Sequence, residues 1–459
     1  MKRFILISTV TLLLVILIGG SAFATLARIR SLGNTDYYFK DIYHIYTNPA
    51  YLGVYTNTVY GELGTYQDGE DGWGTPEDQF LGINYKVYKE FSLGLTLNRH
   101  VEWNADVFPH FWYVDEYGDF PDPINGYDLM ASYDFEKLHL GIGFYHAGNK
   151  ATGGFDGSAT DTTTGDGYYY TGKWDGELTS GITSLTGGFL YEVDENKWIE
   201  GMVKLSFDRA KIQYNEIYTG YSEFWDESYK EIWEETYQTD GGNGLEFGGR
   251  AFWEVIENFQ VVPLFAFGTE SIKLDSTLSY SFSYQDGIPF DTAWTVKGKT
   301  GDVKMNYLIL GLGGNLKLDK GMVAGGLSLY RDKWTDERTK PDSTSEYTET
   351  IMPGFNLGVE YELTKWLTAR VGMEKWFGRD ESKYDYDYWE PPYHYLVHGK
   401  YTDRFSNYPE DFIGLGVGFK FSKFKVDATV GENNFFEGTY LLSGKERNLF
   451  GTLSAIFEF

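Results

Sequence analysis

Apolar and polar side chains alternate along most of the chain after residue 57. From Leu138 to Phe144 every second residue is apolar, and histidine or glycine fills the positions between. The same two-residue period recurs in segments that begin at Phe91, Phe355 and Leu367. It is the period of a β-strand, whose successive side chains point to opposite faces. Held over about ten residues, the period is typical of strands that cross a membrane.

The last stretch, from Arg447 to Phe459, also alternates, with one apolar face and one mixed face. Its terminal phenylalanine resembles the closing strand of a bacterial outer-membrane β-barrel, in which a C-terminal aromatic residue serves in assembly. A half-buried strand of a soluble β-sandwich would alternate as well. The last stretch alone therefore leaves both architectures open.

The connections between the alternating segments fall into two classes, seven short and polar, eight long. The short ones are at about residues 89–90, 136–137, 194–197, 256–258, 319–320, 364–365 and 422–423, and the long ones at about 67–78, 102–125, 148–183, 215–243, 272–305, 332–350, 377–410 and 432–446. Short turns on one side and long loops on the other are typical of outer-membrane barrels. Together they predict an all-β fold, a closed transmembrane antiparallel barrel of sixteen strands. Fourteen strands result if Phe259–Phe267, which contains Pro263, is not a strand.

The N-terminus predicts three parts of the chain. Lys2 and Arg3 precede an apolar run over residues 4–18 and a small-x-small site that ends at Ala24, the pattern of a signal peptide over residues 1–24. Residues 25–57 lack the alternation, and Pro49 stops a helix or central strand there. We therefore expect a short plug segment over 25–57, followed by the barrel over 58–459.

Composition narrows the function. The chain has no cysteine, so disulfide scaffolds and thiolate metal sites are excluded, and its net charge of −28 argues against binding nucleic acid. The spacing of histidine, serine and carboxylate residues indicates no metal site, cofactor or catalytic residues. We therefore do not expect the protein to be an enzyme. The aromatic content of 18% suits girdles at the membrane interface, where residues beside short turns, such as Tyr88, Trp198 and Trp366, are expected.

The strand face opposite the apolar one carries charges of both signs and is expected to line the lumen. The principal candidates are Lys204, Glu246, Arg250, Glu360, Arg370, Glu374, Lys425 and Asp427. A charged lumen fits a water-filled path or gate. It equally fits a salt-bridged interior that holds the barrel shut.

Two of the long loops are rich in aromatic residues and are candidates for ligand contact. One contains Phe108, Phe111, Trp112 and Tyr113, and the other contains Tyr221, Phe224, Trp225 and Trp233. The second set follows helical spacing and predicts a short amphipathic helix over about 221–235. Such residues pack loops together, or they form an apolar groove that captures a hydrophobic ligand.

The leader of the barrel contains Leu32-Gly33, Asp41 and the motif Asn48-Pro49-Ala50-x-Leu52 directly before the first strand. This signature resembles that of the FadL-like outer-membrane families, which include fatty acid transporters and the PorV/PorQ-type proteins of type IX secretion. The resemblance implies a barrel, usually of fourteen strands, with an N-terminal segment in the lumen. It further implies uptake of hydrophobic compounds or, for PorV-type members, escort of secreted proteins.

Three functions remain open at this point. The first is a plugged, passive FadL-like channel for small or hydrophobic compounds, and the second is a non-conducting PorV/PorQ-like platform or shuttle for secreted or surface proteins. A general porin with an open lumen is the third. Each implies export to the outer membrane of a Gram-negative-type bacterium, contact with its lipid and lipopolysaccharide, and insertion by the outer-membrane assembly machinery.

Overall fold

The computed structural model describes residues 25–64, 79–101, 123–161, 168–222, 227–284, 292–337, 344–390, 395–430 and 450–459. The expected signal peptide over 1–24 lies outside these ranges. So do six of the candidate ligand-contact residues, which are Phe108, Phe111, Trp112, Tyr113, Phe224 and Trp225.

Sixteen antiparallel strands form one closed sheet. They are β1 Thr58–Gly64, β2 Phe80–Tyr88, β3 Phe91–Leu97, β4 Ile124–Phe135, β5 Leu138–Asp161, β6 Tyr168–Asp194, β7 Lys197–Ser222, β8 Glu227–Ile256, β9 Phe259–Tyr284, β10 Thr292–Leu318, β11 Gly321–Glu337, β12 Thr344–Thr364, β13 Leu367–Glu390, β14 Tyr395–Phe421, β15 Phe424–Val430 and β16 Phe450–Glu458. Each strand pairs with its neighbours in sequence, and β1 closes the barrel on β16 with Val59 opposite Phe457. The prediction of a closed sixteen-stranded barrel is confirmed. Pro263 lies within β9, opposite Leu312 of β10, so the fourteen-strand alternative is wrong.

Each of the seven short connections is a two-residue turn on the same side of the barrel. Lys89, Glu136, Asn258 and Ser422 adopt positive φ in four of these turns. Positive φ is what tight hairpins require, because their backbone twist then matches that of the flanking strands. The short turns were therefore placed correctly from the sequence.

The long connections differ from the expectation, because most of their residues belong to strands. β8 alone runs for 30 residues, and β7 and β8 remain paired, through one register shift after Asp208, as far as Ser222 opposite Glu227. A strand needs only about 9–11 residues to cross a membrane. The hairpins from β5 to β14 therefore continue well beyond the membrane thickness. The alternation that marks a strand does not stop at the membrane surface.

The two faces of the sheet have opposite character. Large apolar side chains such as Leu81, Ile142 and Leu327 point outward and are exposed, while Asn84 and Asp128 point inward and are buried. An apolar outer belt with a polar interior is the arrangement that contact with lipid requires. The predicted register of the strands is confirmed. Within the described residues, no helix has the length and apolar character needed to cross a membrane.

Residues 25–57, which we call the lumenal segment, cross the interior of the barrel. They form helix α1 (Leu26–Ser31), two 3₁₀ helices (Asp36–Tyr38 and Ile42–Tyr46) and helix α2 (Tyr51–Val54). α1 contacts β13 to β16, the first 3₁₀ helix contacts β10 and β11, and α2 contacts β3 to β5. The segment therefore reaches from one wall of the barrel to the opposite wall.

A belt of inward-facing glycines receives the lumenal segment. A Cβ atom at Gly94 would lie 2.8 Å from Leu52 Cδ1, and one at Gly358 would lie 2.5 Å from the Leu32 carbonyl oxygen. Equally close approaches occur at Gly141, Gly188, Gly313, Gly326, Gly372, Gly414 and Gly416. Glycine lets the backbone of the segment come into direct contact with the sheet. The belt explains many of the glycines that alternate with apolar residues in the strands.

We expect Gly372→Ala to destabilise the barrel by about 1–3 kcal/mol, because the added methyl group would overlap Leu32. The measurement is the midpoint of urea unfolding in detergent, followed by gel mobility. Gly187→Ala is the matched control, since a Cβ there meets its nearest atom, in Val203, at 3.7 Å. Equal midpoints for the two variants would contradict the close packing of the lumenal segment.

Candidate functional site

One ion-paired cluster of the lumen joins the lumenal segment to β12, β13 and β15. Arg370 lies 2.6 Å from Glu360 and 2.7 Å from Asp427, and Lys425 lies 3.2 Å from Asp427. Arg28 of α1 reaches Glu360 at 2.7 Å. Charge-assisted bonds of this kind are strong, and each buried charge depends on its partner. The cluster therefore fixes α1 to the wall.

A second cluster holds the other end of the lumenal segment. Arg250 of β8 pairs with Glu200 of β7, and the Tyr51 hydroxyl donates a hydrogen bond to the same carboxylate. Arg250 also donates through Nη1 to the backbone carbonyl of Asp36 at 2.7 Å. One wall arginine thus contacts both the first 3₁₀ helix and, through Glu200, helix α2.

The remaining predicted lumen charges also have partners. Lys204 lies 3.9 Å from Glu246, and Glu374 accepts hydrogen bonds from Asn34 at 2.5 Å and from Trp376 at 2.6 Å. The structure thus places all eight candidate charges on the inward face. In the part of the lumen that the lumenal segment occupies, these charges form a salt-bridged interior.

The Asn48-Pro49-Ala50-x-Leu52 motif forms the turn by which the lumenal segment meets β3, β5 and β6. The Asn48 side chain donates to the Phe189 carbonyl at 3.0 Å and accepts from the Ala50 amide at 3.1 Å. Pro49 packs on a glycine of β5, and Leu52 packs on Gly94. The asparagine therefore positions the segment against the wall and also caps its own turn.

A cavity of about 210 Å³ lies between the lumenal segment and the wall formed by β4 to β7 and the residues that follow β3. Its apolar lining includes Tyr43, Tyr46, Met130, Tyr145 and Ile182, and its polar lining includes Arg99, Asp128 and Lys204. This cavity was not predicted from the sequence, since its walls come from separate strands and from the lumenal segment itself.

Arg99 organises the polar side of this cavity. Its guanidinium donates two hydrogen bonds to Asp128, at 2.7 and 2.6 Å. The same group lies 4.3 Å from the ring centroid of Tyr46 and 4.6 Å from that of Tyr145. Cation–π contacts of this kind hold the aromatic faces in place. The cavity therefore has fixed aromatic walls beside a neutralised ion pair.

Tyr221 and Trp233 do not reach the cavity. Tyr221 is at the end of β7 opposite Ser228, and Trp233 belongs to β8, with its ring 4.4 Å from that of Tyr280. The helix predicted over 221–235 is wrong. Trp233 faces Tyr280 across a regular strand pair, and such aromatic pairs stabilise a sheet.

The expectation that Trp198 belongs to an interface girdle is also wrong, because its ring faces the lumen. The Lys40 ammonium of the lumenal segment lies 3.3 Å from the centroid of this ring, and His139 stacks on the ring. Burial, opposed by nearby Glu200, lowers the pKa of Lys40 to about 7. Tyr88 and Trp366, by contrast, are exposed on the outside as expected.

The described part of the chain contains no group of three histidine or carboxylate residues that could hold a metal ion.

Comparison with models of protein families and with curated proteins gives no match. Among solved structures, the toluene transporter TodX of Pseudomonas putida is 11% identical with a TM-score of 0.39, over 96% of this chain and 100% of that one. A FadL homologue of Pseudomonas aeruginosa is 11% identical with a TM-score of 0.30, over 96% and 100%. The monoaromatic hydrocarbon channel CymD is 12% identical with a TM-score of 0.32, over 95% and 99%. The resemblance to the FadL-like families, including their PorV/PorQ-type members, stays a prediction.

We expect Arg370→Met to destabilise the barrel by about 3 kcal/mol or more, since Glu360 and Asp427 lose a buried partner. The midpoint of urea unfolding measures the change. Adding Asp427→Asn should recover part of the loss, because one of the two stranded charges is then removed. Arg404→Met is the control, because this arginine is exposed and an exposed ion pair such as Arg404–Glu381 contributes little to stability.

We expect the barrel to become more stable as the pH rises from about 7 to 10, owing to Lys40. An unfolded lysine has a pKa of about 10.4. Across this window the unfolded chain therefore binds more protons than the folded chain. Unfolding midpoints measured along the pH series should rise less steeply for Lys40→Met. Lys150→Met, at an exposed lysine, should leave the slope unchanged.

Proposed function

We propose that the chain is an outer-membrane β-barrel that carries small hydrophobic or amphipathic compounds into the cell, with the lumenal segment as its plug. The cavity between the segment and the wall supports this proposal most directly. The apolar outer belt supports residence in the outer membrane of a Gram-negative-type bacterium, reached through the signal peptide expected over residues 1–24. Outer-membrane lipid, lipopolysaccharide and the assembly machinery are then the partners of the outer belt and the terminal strand.

The cavity has the size and lining of a site for a single-ring compound. An apolar cavity of about 150 Å³ accepts benzene in another protein, and this one encloses about 210 Å³. Tyrosine rings and Ile182 supply apolar contacts, while Lys204 at the margin offers a cation to a ligand that carries an acidic group. The site therefore suits hydrophobic compounds with at most one polar substituent.

A ligand in this cavity would contact the plug directly, through Tyr43, Tyr46 and Pro49. A ligand shifts a conformational equilibrium only through contacts that differ between the two states. Because part of the proposed site belongs to the plug, binding can bias the position of the plug. Passage through the filled lumen would require such a movement.

A non-conducting platform for secreted or surface proteins is the second candidate. Two observations favour it: the ion pairs that hold the plug, and the long hairpins that extend β5 to β14 far beyond the membrane. An open general porin finds no such support, because the lumenal segment crosses the interior.

Uptake into proteoliposomes separates these functions. Vesicles with the purified mature protein should take up radiolabelled toluene or benzoate faster than empty vesicles, while planar bilayers should show little ion conductance. Uptake no faster than in empty vesicles would favour the platform. High conductance of the unmodified protein would favour the porin.

We expect Ile182→Trp to fill the cavity and lower the rate of uptake at least tenfold. A tenfold change in rate corresponds to about 1.4 kcal/mol in the activation free energy of transport. The control is Leu185→Trp on the same strand, since Leu185 points to the lipid and is exposed. Thermal unfolding of both variants tests whether they remain folded. If both variants take up the probe at the rate of the unmodified protein, the cavity is not on the transport path.

A further inference from the structure

Two arginines lie at the edge of the apolar outer belt, on the side of the long hairpins. On β11 the exposed residue Leu329 is followed two positions later by Arg331. On β13 the exposed residue Phe377 is followed in the same way by Arg379. Both arginines are exposed, and the two-residue period of a strand puts them on the face of the apolar residues before them. They therefore point outward at the level where the apolar belt ends.

Strand pairing brings these arginines into one row across the sheet, which we call the arginine row. Arg331 is opposite Ile351 of β12, and Ile351 is opposite Arg379. Neighbouring strands are about 4.8 Å apart, so the two arginine Cα atoms are about 10 Å apart. Leu308 of β10 and Ser406 of β14 continue the row at its two ends. From β10 to β14 the row thus contains two positive charges and no acidic residue.

Several other strands end the apolar belt with neutral side chains. The outward residue that follows the last apolar one is Thr183 on β6, Asn243 on β8, Thr269 on β9 and Asn306 on β10. The net charge of the chain is −28. The arginine row is therefore a local positive site on a strongly acidic protein.

The lysines near the arginine row differ from the two arginines in their register partners. Glu349 is the register partner of Lys333, and Asp411 is that of Lys375. Like charges are thus offset along the sheet at both lysine positions. We therefore assign the recognition of an anion to the arginines and not to the lysines.

One further carboxylate lies beyond the arginine row on β13. Glu381 follows Arg379 at the next outward position, and it pairs with Lys383 at 3.0 Å and with Arg404 at 3.2 Å. Two cations therefore already hold this carboxylate. A guanidinium has five N–H donors, so Arg331 and Arg379 can bind an anion in addition to the contacts that they make within the protein.

We propose that this face of the barrel binds a phosphorylated glycolipid of the outer leaflet, with a lipid phosphate between Arg331 and Arg379. Arginine binds phosphate through two parallel N–H bonds. Its long side chain extends along apolar surface while its charge stays in the polar headgroup layer. Beside the row, Leu327, Leu329 and Phe377 offer exposed apolar surface to the acyl chains. The inference rests on the proposed residence in the outer membrane, but not on transport.

The test titrates the mature protein, refolded from denaturant in a nonionic detergent, with lipid A, a glycolipid that carries phosphate on its sugar headgroup. Native mass spectrometry measures the fraction of protein that binds the lipid. A second titration uses lipid A from which the phosphates have been removed. Gel mobility tests whether each variant is folded.

The variants are the double substitution Arg331→Gln with Arg379→Gln, and the single substitution Arg209→Gln. Arg209 is the matched control, because it is an exposed arginine that follows the outward residue Phe207 on β7. Its register partner on β6 is Gly181, so no second arginine lies opposite it there.

We expect the double variant to bind lipid A at least about tenfold more weakly than the unmodified protein, since charge-assisted contacts to the phosphate are lost. Arg209→Gln should change the affinity less than about twofold. Equal affinities of the unmodified protein and the double variant would overturn the proposal. An equal loss in the double variant and in Arg209→Gln would also overturn it, because any arginine at the membrane surface would then serve.

The comparison of the two lipids uses the unmodified protein and needs no variant to fold. Removal of the phosphates should weaken binding at least about tenfold, and equal affinities for the two lipids would overturn the proposal. Displacement of lipid A by an equal concentration of inorganic phosphate would assign the arginine row to a free anion and would overturn it as well. None of these titrations measures transport, so the lipid site and the proposed function can fail independently.

Discussion

Ionised side chains on the inner face of a closed sheet need partners, and the lumenal segment supplies several of them. Arg28 bonds to Glu360, and the Tyr51 hydroxyl bonds to Glu200. A buried charge that loses its partner costs about 3–5 kcal/mol, a large fraction of the stability of an ordinary domain. The segment is therefore part of the folded interior and cannot be regarded as an appendage. Any movement that opens the lumen must provide these charges with water or with new partners.

The fold was largely predictable because its signals are local. A two-residue period and polar turns can be read within ten residues of sequence, and they correctly gave the sixteen strands, the register and the seven turns. The lengths of the hairpins were not predictable in this way, since the same alternation continues outside the membrane. The residues around Trp233 fit both a helical and a strand period. Pairing with β7 and β9 decides in favour of the strand, and such pairing cannot be seen in the sequence alone.

The candidate site was predictable only in part. Alternation assigned Arg370 and Asp427 to the lumen, but their pairing with each other and with α1 depends on contacts between residues far apart in sequence. The glycine belt left a trace, because Gly358 and Gly372 occupy inward positions where polar residues were expected. Their meaning appears only once the lumenal segment lies against them. The cavity was not predicted, because residues 43–49 line it only together with side chains from several separate strands.

Helix α1 contacts the strands on both sides of the junction where the barrel closes. Through Thr25, Leu26 and Ala27 it bonds to β15, β1 and β16. The first and last strands meet only when the cylinder is complete, so these three acceptors do not form a single docking surface before that moment. Seating of α1 is thus a late event in biogenesis. A barrel halted with its first and last strands apart would leave its N-terminal helix unseated and open to proteolysis.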